Sequence, residues 1–449
     1  GNDILGAAAQ DAFGKTMSLS ADGRRVASAG PNNDAGGSNA GHVRVHEYQA
    51  STSAWVQVGS DINGTTAGEQ TGSGLSLSGN GKRLVVLSPH YVNAGYLSPS
   101  HIIPLSAPGV MRKGIKWMFD KSSPLYIKPR LDLDFLRWTW AFNKSCNPRH
   151  VEKAAPVIKD IAVLSQELYR DISEKESIDS HYETKGLFML CQTEKALEEE
   201  VNVAHYANKI GLEAREISAA EIKKLEPNVE INAVGAAYFK CDHHTTPHEF
   251  MIGLKSALKN KGVQFFTNEK VVDLEVNNNT IKSITTNKQS IDVDEVVLAA
   301  GSWSHMLSKK LGIKLLLQAG KGYRVNSEND TGITIPAILA EAKVAITPMN
   351  GFTRFAGTME VDKINHKINP VRVNAIAKAA EKYYNGLKIE QSDINNAACG
   401  LRPCSPDGLP YIGRLSKVKN VTIATGHAMM GWSLGPATGK LVSEIISDK

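Results

Sequence analysis

The patterning of the chain changes character near residue 92, and that break limits how much of it can share one core. Residues 1–92 are rich in Gly, Ser, Asn and Ala, with apolar residues in short β-like runs and almost no helical spacing. The segment also repeats itself: FGKTMSLSADGRRVASAGP at 13–31 aligns, 58 residues on, with TGSGLSLSGNGKRLVVLSP at 71–89. Each copy runs through a Gly, SLS, a turn (ADG or GNG), basic residues and an apolar run ending in Pro. Between the copies lie two further strand patterns, GHVRVHEY and SAWVQVGSDI. A strand–turn–strand unit at fixed spacing belongs to stacked β arrays, in which each unit buries its face on a neighbour. One and a half units do not close such an array.

From about Asn93 the spacing becomes that of a mixed α/β (α+β) protein. Apolar residues recur at i, i+3, i+4 over 149–174, 193–210, 246–261 and 370–385, which predicts four helices. Strands are predicted at GLFMLCQ, GAAYF, VQFFTN, DEVVLAA, AKVAITP and FTRFAGTME. Ser218 and Glu221 in SAAEIKKLEP have the spacing of a capping box. A chain of 449 residues with 42% hydrophobic and 22% charged residues can bury a sizeable core. Its net charge of +5 is spread along the length, without the dense basic stripe of a nucleic-acid binder. The five cysteines (146, 191, 241, 399, 404) form no CxxC pair, so they read as reduced thiols of a cytoplasmic protein. No metal site is expected: the His244–His248 pair is interrupted by Pro247 and lacks a third ligand. No apolar run nears the ~18 residues of a membrane span. GNDILGAAAQDAFG at the N-terminus lacks the basic region and apolar core of a secretory signal. A peripheral membrane contact stays open.

Three glycine-marked junctions could carry chemistry. DEVVLAAGSWSHML (294–307) is an apolar strand that breaks at Gly301 and restarts as a helix. GLRPCSPDGLPYIG (400–413) is a turn-rich loop with one guanidinium, Arg402, suited to bidentate capture of a carboxylate. ATGHAMMGWSLGPATGK (424–440) passes from a strand through a glycine-framed loop into a helix from about Ser433. Backbone can approach a ligand closely there, and the free N–H groups of the helix favour an anionic group. Taken singly, the first is a plain strand-to-helix turn and Arg402 a surface ion-pair partner.

Taken together and in order they resemble a family. VVLAAGSWS, GKGYRV, GLRPCSPDGLPYIG and ATGHAMMGWSLGPATGK, preceded by NAGYLSPSHIIPLSAPGV (93–110), KWMF (116–119) and DHHTTPHEF (242–250), are similar to the FAD-dependent D-amino acid dehydrogenase branch of the D-amino acid oxidase superfamily. The resemblance spans about 93–449. Residues 1–92 in turn resemble FG-GAP-like propeller repeats.

The resemblance implies an FAD-binding layer built from about 265–303 and 395–449. It implies a substrate layer with a mixed sheet from about 100–264 and 304–394, and a small all-β fragment at 1–92 ahead of both. It implies oxidation of the Cα–N bond of a D-amino acid by hydride transfer to flavin, giving a 2-oxo acid and ammonia, with electrons passed to an acceptor such as a quinone. Arg402 would pair with the α-carboxylate while the Tyr323 hydroxyl orients it. Asn93, Ala94, Gly95, Val271, Ala300, Gly301, Gly426, His427, Gly431 and Trp432 would hold FAD, Val271 near the adenine and Gly426–Trp432 along the flavin ring.

The family pattern also begins with a strand, GxGxxG, a helix and an acidic ribose ligand, which grip the ADP half of FAD. No GxGxxG occurs in this sequence. GGSNAG (36–41) and GSGLSLSG (72–79) have the wrong spacing, and the β repeat stands where that unit belongs. A catalytically inactive chimera with an interaction module, and an amine oxidoreductase of the sarcosine, glycine or hydroxyproline type, are therefore alternatives.

Overall fold

The computed structural model describes residues 3–8, 11–20, 23–35, 38–64, 93–111, 123–128, 130, 132–267 and 269–447, with the backbone alone of 74–77 and 84–87. The KWMF motif, Asp22, the Asn80-Gly81 turn and the join at 88–92 lie outside the described residues. The chain divides into two compact units, residues 1–92 with 395–398, and residues 93–394 with 399–449.

The described elements of residues 1–92 are strands. Strands β1 (Thr16–Leu19), β2 (Arg25–Gly30), β3 (His42–Gln49) and β4 (Ala54–Gln57) pair in sequence order, and β5 (Ile62–Asn63) adds to β3. A separate hairpin joins β6 (Gly74–Leu77) and β7 (Leu84–Leu87). The sequence repeat is a repeat of structure: Thr16 faces Ala29 in the first hairpin, and Gly74 faces Leu87 at the equivalent positions of the second. Ala27, Ala29 and Val43 form its small core.

The second unit begins with β8 (Tyr96–Leu97) and β9 (Leu125–Ile127), then helices α1 (Leu133–Ser145) and α2 (Pro148–Lys175). Next come β10 (Leu187–Cys191), α3 (Glu194–Lys209), β11 (Ala214–Ser218), α4 (Ala219–Leu225), β12 (Glu230–Ile231), β13 (Gly235–Phe239), β14 (His243–His244) and α5 (Pro247–Asn260). A meander of β15 (Val271–Asn277), β16 (Thr280–Thr286) and β17 (Ser290–Asp292) leads to β18 (Val296–Leu298) and α6 (Ser304–Lys310). Strands β19 (Gln318–Ser327), β20 (Ala337–Leu339), β21 (Val344–Met349) and β22 (Phe352–Asp362) precede α7 (Pro370–Tyr383). The chain ends through β23 (Tyr384–Asn385), α8 (Gln391–Asn395), β24 (Ala398–Cys404), β25 (Tyr411–Arg414), β26 (Val421–Thr425) and α9 (Gly431–Ile446).

The four helices expected from apolar spacing are α2, α3, α5 and α7, and the Ser218–Glu221 capping box forms at α4. One expectation fails. Residues 263–267 of VQFFTN form no strand; Phe265 and Phe266 are exposed in irregular chain and, among the described residues, pair with no strand. Conversely, α1 was not legible, although Asp132 caps it by accepting the Phe135 N–H at 2.7 Å.

A nine-stranded mixed sheet, in the order β11-β13-β10-β20-β21-β22-β19-β24 with β9 added to β22, dominates the unit. On it, Ala155 of α2 and Ala204 and Ala207 of α3 pack with Leu187, Met189 and Phe239. A second cluster sets Phe135, Trp138 and Phe142 of α1 against Met359, Val361 and Cys404. The smaller sheet is β18-β26-β25, with β18 and β26 parallel. It shares a core with the meander through Ile281, Leu298, Val418 and Val421. One strand crosses the expected layer boundary: β24, placed at sequence level with the cofactor layer, is the edge of the large sheet beside β19.

Candidate active site at the glycine junctions

The parallel pair β18–β26 brings two of the junctions together. Leu298 is paired with Ile423, so both strands end at the same edge, Gly301 following one and Gly426 the other. The Thr425 hydroxyl reaches the Gly301 carbonyl at 3.2 Å, and the Ser304 hydroxyl reaches Thr425 Oγ1 at 3.2 Å. Ligands of open α/β sheets bind beyond the carboxyl ends of such strands. Gly301, preceded by Ala300, has φ +52 and open space within 4 Å of where a Cβ would stand. Gly426 has φ +86, and a Cβ there would meet the Tyr411 ring at 3.0 Å, so both the conformation and the close approach require glycine.

Beyond Gly426 the loop turns into α9, which starts at Gly431, two residues earlier than the spacing suggests. No side chain caps this helix, so its first N–H groups and its positive end are offered to a ligand. The third junction is stitched to the same loop. His427 bridges Cys404, and the Ala428 N–H donates to the Pro403 carbonyl at 2.9 Å. Arg402 lies two residues before Cys404 on the same strand, β24.

Arg402 has a built seat. Its guanidinium lies against Gly322 of β19, where an added Cβ would stand 2.4 Å from Cζ and both terminal nitrogens. Nη1 donates to the Thr358 carbonyl at 3.0 Å. That carbonyl is turned by a β-bulge: Lys321 faces Glu360 while Tyr323 faces Gly357, and Thr358 sits in the left-handed region at φ +56. Burial lowers the guanidinium pKa from its ordinary value, and Arg402 forms no ion pair among the described residues. A desolvated cation of this kind is poised to gain from an anionic ligand.

The Asn93–Gly95 segment is tied to the first turn of α9 through its neighbours. Gly95, at φ +79, lies so close to the chain following β14 that a Cβ would be 2.3 Å from the Thr245 carbonyl. Thr347 donates to the Ala94 carbonyl at 2.6 Å and Arg354 to the Asn93 carbonyl at 2.6 Å. The Trp432 indole donates to Thr245 Oγ1 at 3.1 Å, and Ser433 to the Tyr96 carbonyl at 2.7 Å. The segment and the first turn of α9 are thus locked together.

Three of the residues expected at the site have described partners elsewhere. Tyr323 does not share a cleft with Arg402: neighbours in a strand point to opposite faces, and Gly322 faces Arg402. Tyr323 is buried on the far side, its hydroxyl donating to Glu360 at 3.0 Å, beside Lys321 at 3.4 Å from the same carboxylate. His427 is pinned by its ring nitrogen to Thr438 Oγ1 at 2.9 Å, and burial lowers its pKa to about 4, so it is a neutral strut. The Trp432 ring is wedged against Tyr169 and Phe250, which leaves its backbone, not its side chain, at the helix start. Val271 opens the meander at half-burial, and no described bond ties it to Gly301 or Gly426. Gly322 and Thr358 went unnamed at sequence level. Two glycines on one face of a strand, Gly320 and Gly322, were the available signal of close approach.

Residues 90–445 match the family described as FAD dependent oxidoreductase, DAO. The chain belongs to that family. A D-amino acid dehydrogenase of Helicobacter pylori is 28% identical over 358 residues, 79% of this chain and 85% of the relative. A D-amino acid dehydrogenase of Neisseria meningitidis serogroup C is 28% identical over 373 residues, 81% of this chain and 88% of the relative. The fold is similar to that of glycine oxidase from Geobacillus kaustophilus, at a TM-score of 0.59 and 22% identity over 65% of this chain and 80% of that one. The chain is thus an FAD-dependent oxidoreductase of the DAO family, and the uncapped start of α9, the open space at Gly301 and the close approach at Gly426 follow the ends of its parallel pair β18–β26.

Proposed function

We propose that this FAD-dependent oxidoreductase acts on D-amino acids. The Cα hydride leaves, the amine lone pair closes the C=N bond, and water converts the iminium to a 2-oxo acid and ammonium. The observation that carries the reading is the desolvated Arg402 guanidinium seated on Gly322 and bonded to the Thr358 carbonyl. FAD, when bound, supplies the two-electron acceptor.

Arg402 would bind the substrate carboxylate bidentately and so fix the Cα–H direction. Gly301, Gly426, Gly431 and the Trp432 backbone would hold the cofactor, and Asn93–Gly95 would close the site from the far side. Val271 would stand at the adenine end. His427 keeps its proton count constant and holds the loop through Thr438. Tyr323 supports the sheet through Glu360 rather than touching substrate. Residues 93–449 would carry the activity, with 1–92 a separate β-repeat module. A quinone-class molecule would take the electrons, and the protein would work in the cytoplasm. The relatives' names, which are those of dehydrogenases, support the substrate class and the separate acceptor.

The test is anaerobic flavin bleaching by the FAD-loaded full chain with a panel of D-amino acids, L-amino acids, glycine, sarcosine and proline. Bleaching by D-amino acids, lost in Arg402→Ala, is the expected result. Bleaching by glycine or sarcosine alone would assign the chain to the amine-oxidising type, and none at all would support the inactive chimera.

A further inference from the structure

The large sheet carries a line of arginines on the face where Arg402 is seated. The bulge adds its extra residue to β22, so β19 keeps its alternation and Gly320, Gly322, Arg324 and Asn326 share one face. Added Cβ atoms at Gly320 and Gly322 would meet Cys404 and Arg402, which places these β24 side chains over the same face. Asn326 is paired with Arg354, which brings that guanidinium to it from β22. Arg354 donates to Asn326 Oδ1 at 3.0 Å and to the Asn93 carbonyl at 2.6 Å. Arg324 and Arg354 are 4% and 3% exposed. Burial lowers the pKa of both, and the charge of Arg324 lowers that of Arg354 further. Apolar clusters lie to either side. Cys404 belongs to the one that includes α1, and Ala345, in line with Ala356 and Arg324, packs on the one that includes α2 and α3. The acidic residues of β19 and β22, Glu360 and Asp362, stand opposite Lys321 and Ala319, on the other face.

We propose that this line selects a D-amino acid with a second carboxylate in its side chain, the glutamate and aspartate class. Arg402 takes the α-carboxylate, which rests on the proposed function, and Arg324 takes the distal carboxylate. Arg324 follows Gly322 by two residues of extended strand, about 6.7 Å. The carboxyl carbons of glutamate stand about 5 Å apart, the reach of four C–C bonds of ~1.5 Å in a zigzag. The two spans are of one order, and paired N–H donors at each end suit a carboxylate. The side chain of alanine ends short of the second guanidinium. Arg354, held by Asn326 and Asn93, sets a further positive charge beside Arg324, so an arriving anion gains from both. A carboxamide of the same shape gains less, because its hydrogen bonds lack the charge. Arg324 is thus a specificity residue, and Arg354 a positioning residue behind it.

The experiment has two arms, both on the full chain with FAD at saturating concentration. Dye-linked turnover gives kcat/KM for D-glutamate and D-glutamine, and calorimetric titration gives Kd for glutarate and butyrate. D-Glutamate should exceed D-glutamine, and glutarate should bind more tightly than butyrate, each by roughly 10- to 100-fold, the factor of a hydrogen bond between charged groups. Arg324→Gln should bring both ratios down by that factor, and Arg324→Lys, which keeps the charge, should restore part of it. Circular dichroism equal to wild type shows that the variants are folded; should Arg324→Gln not fold, the wild-type ratios and Arg324→Lys decide. A wild-type preference for D-glutamine, or glutarate bound no more tightly than butyrate, overturns the proposal. So does an Arg324→Gln protein that loses both substrates alike with its ratios unmoved, since Arg324 is then structural. Weaker FAD binding in that variant, again with unmoved ratios, would give the arginine to the cofactor's phosphates instead and overturn it too. Absence of amino acid oxidation in the wild type would count against the proposed function, while the glutarate arm still decides whether the paired guanidiniums hold two carboxylates.

Discussion

Replacing Gly322 by alanine puts a methyl carbon 2.4 Å from Cζ, Nη1 and Nη2 of Arg402, about 1 Å inside ordinary contact. The strand cannot retreat, because β19 is paired along its length with β22. The guanidinium, at the end of a flexible side chain, must therefore move, and its bond to the Thr358 carbonyl at 3.0 Å is lost with it. The stability cost should be modest, within about 1 kcal/mol, since the clash is relieved by a rotamer change. The functional cost should be that of a hydrogen bond to a charged group, roughly 1.5–3 kcal/mol, or about 10- to 150-fold in kcat/KM for a D-amino acid. Stopped-flow flavin reduction measures it. The same enzyme assayed on the decarboxylated amine should show little change, because no carboxylate is then at stake. In an Arg402→Ala background the Gly322→Ala change should be silent, since the group it displaces is gone. An unchanged kcat/KM in a folded Gly322→Ala protein, or additive losses in the double variant, would refute the seat.

Asp242 is fully buried, accepts from the Ser100 hydroxyl at 2.5 Å and from its N–H at 3.1 Å, and burial raises its pKa to about 7. Between the ordinary carboxylate range and pH 7 the folded chain then holds the extra proton, so stability falls as pH rises, by up to about 4 kcal/mol. Denaturant melts of Asp242→Asn should lack that slope, and parallel wild-type and variant curves would exclude the assignment. His427, held near pKa 4 by burial, stays neutral above pH 6 in the fold. His427→Gln should therefore leave the pH dependence of kcat/KM unchanged from pH 6 to 9, whereas loss of a limb would make it an acid–base group. With no GxGxxG in the sequence, FAD should be held mainly at its flavin end and dissociate on gel filtration. Fluorescence titration showing tight, stoichiometric binding would reverse that expectation.

Much of this was legible in the sequence because the signals are local. A 3.6-residue apolar period predicts α2, α3, α5 and α7, and a repeated turn chemistry predicts two hairpins in one register 58 residues apart. The order of the glycine junctions carried the family. Helix α1 stayed hidden because Leu133, Leu136 and Trp140 lie opposite Phe135, Trp138 and Phe142, so apolar residues surround it and no single face stands out. The layer to which β24 belongs was decided by pairing with β19, a contact across some eighty positions that no local period encodes. Which faces of the large sheet Arg402 and Tyr323 take was likewise a tertiary matter. Adjacent positions on a strand point oppositely, so the face given to Tyr323 was settled only when the Thr358 bulge fixed the register and Arg402 filled the space over Gly322. The sequence alone determined which chemical groups this protein has and which short stretches become strands, turns and helices. Their meeting at one edge was decided by strand pairing and packing between distant segments, because a guanidinium becomes a binding site only through the neighbours that strip its water and hold its direction.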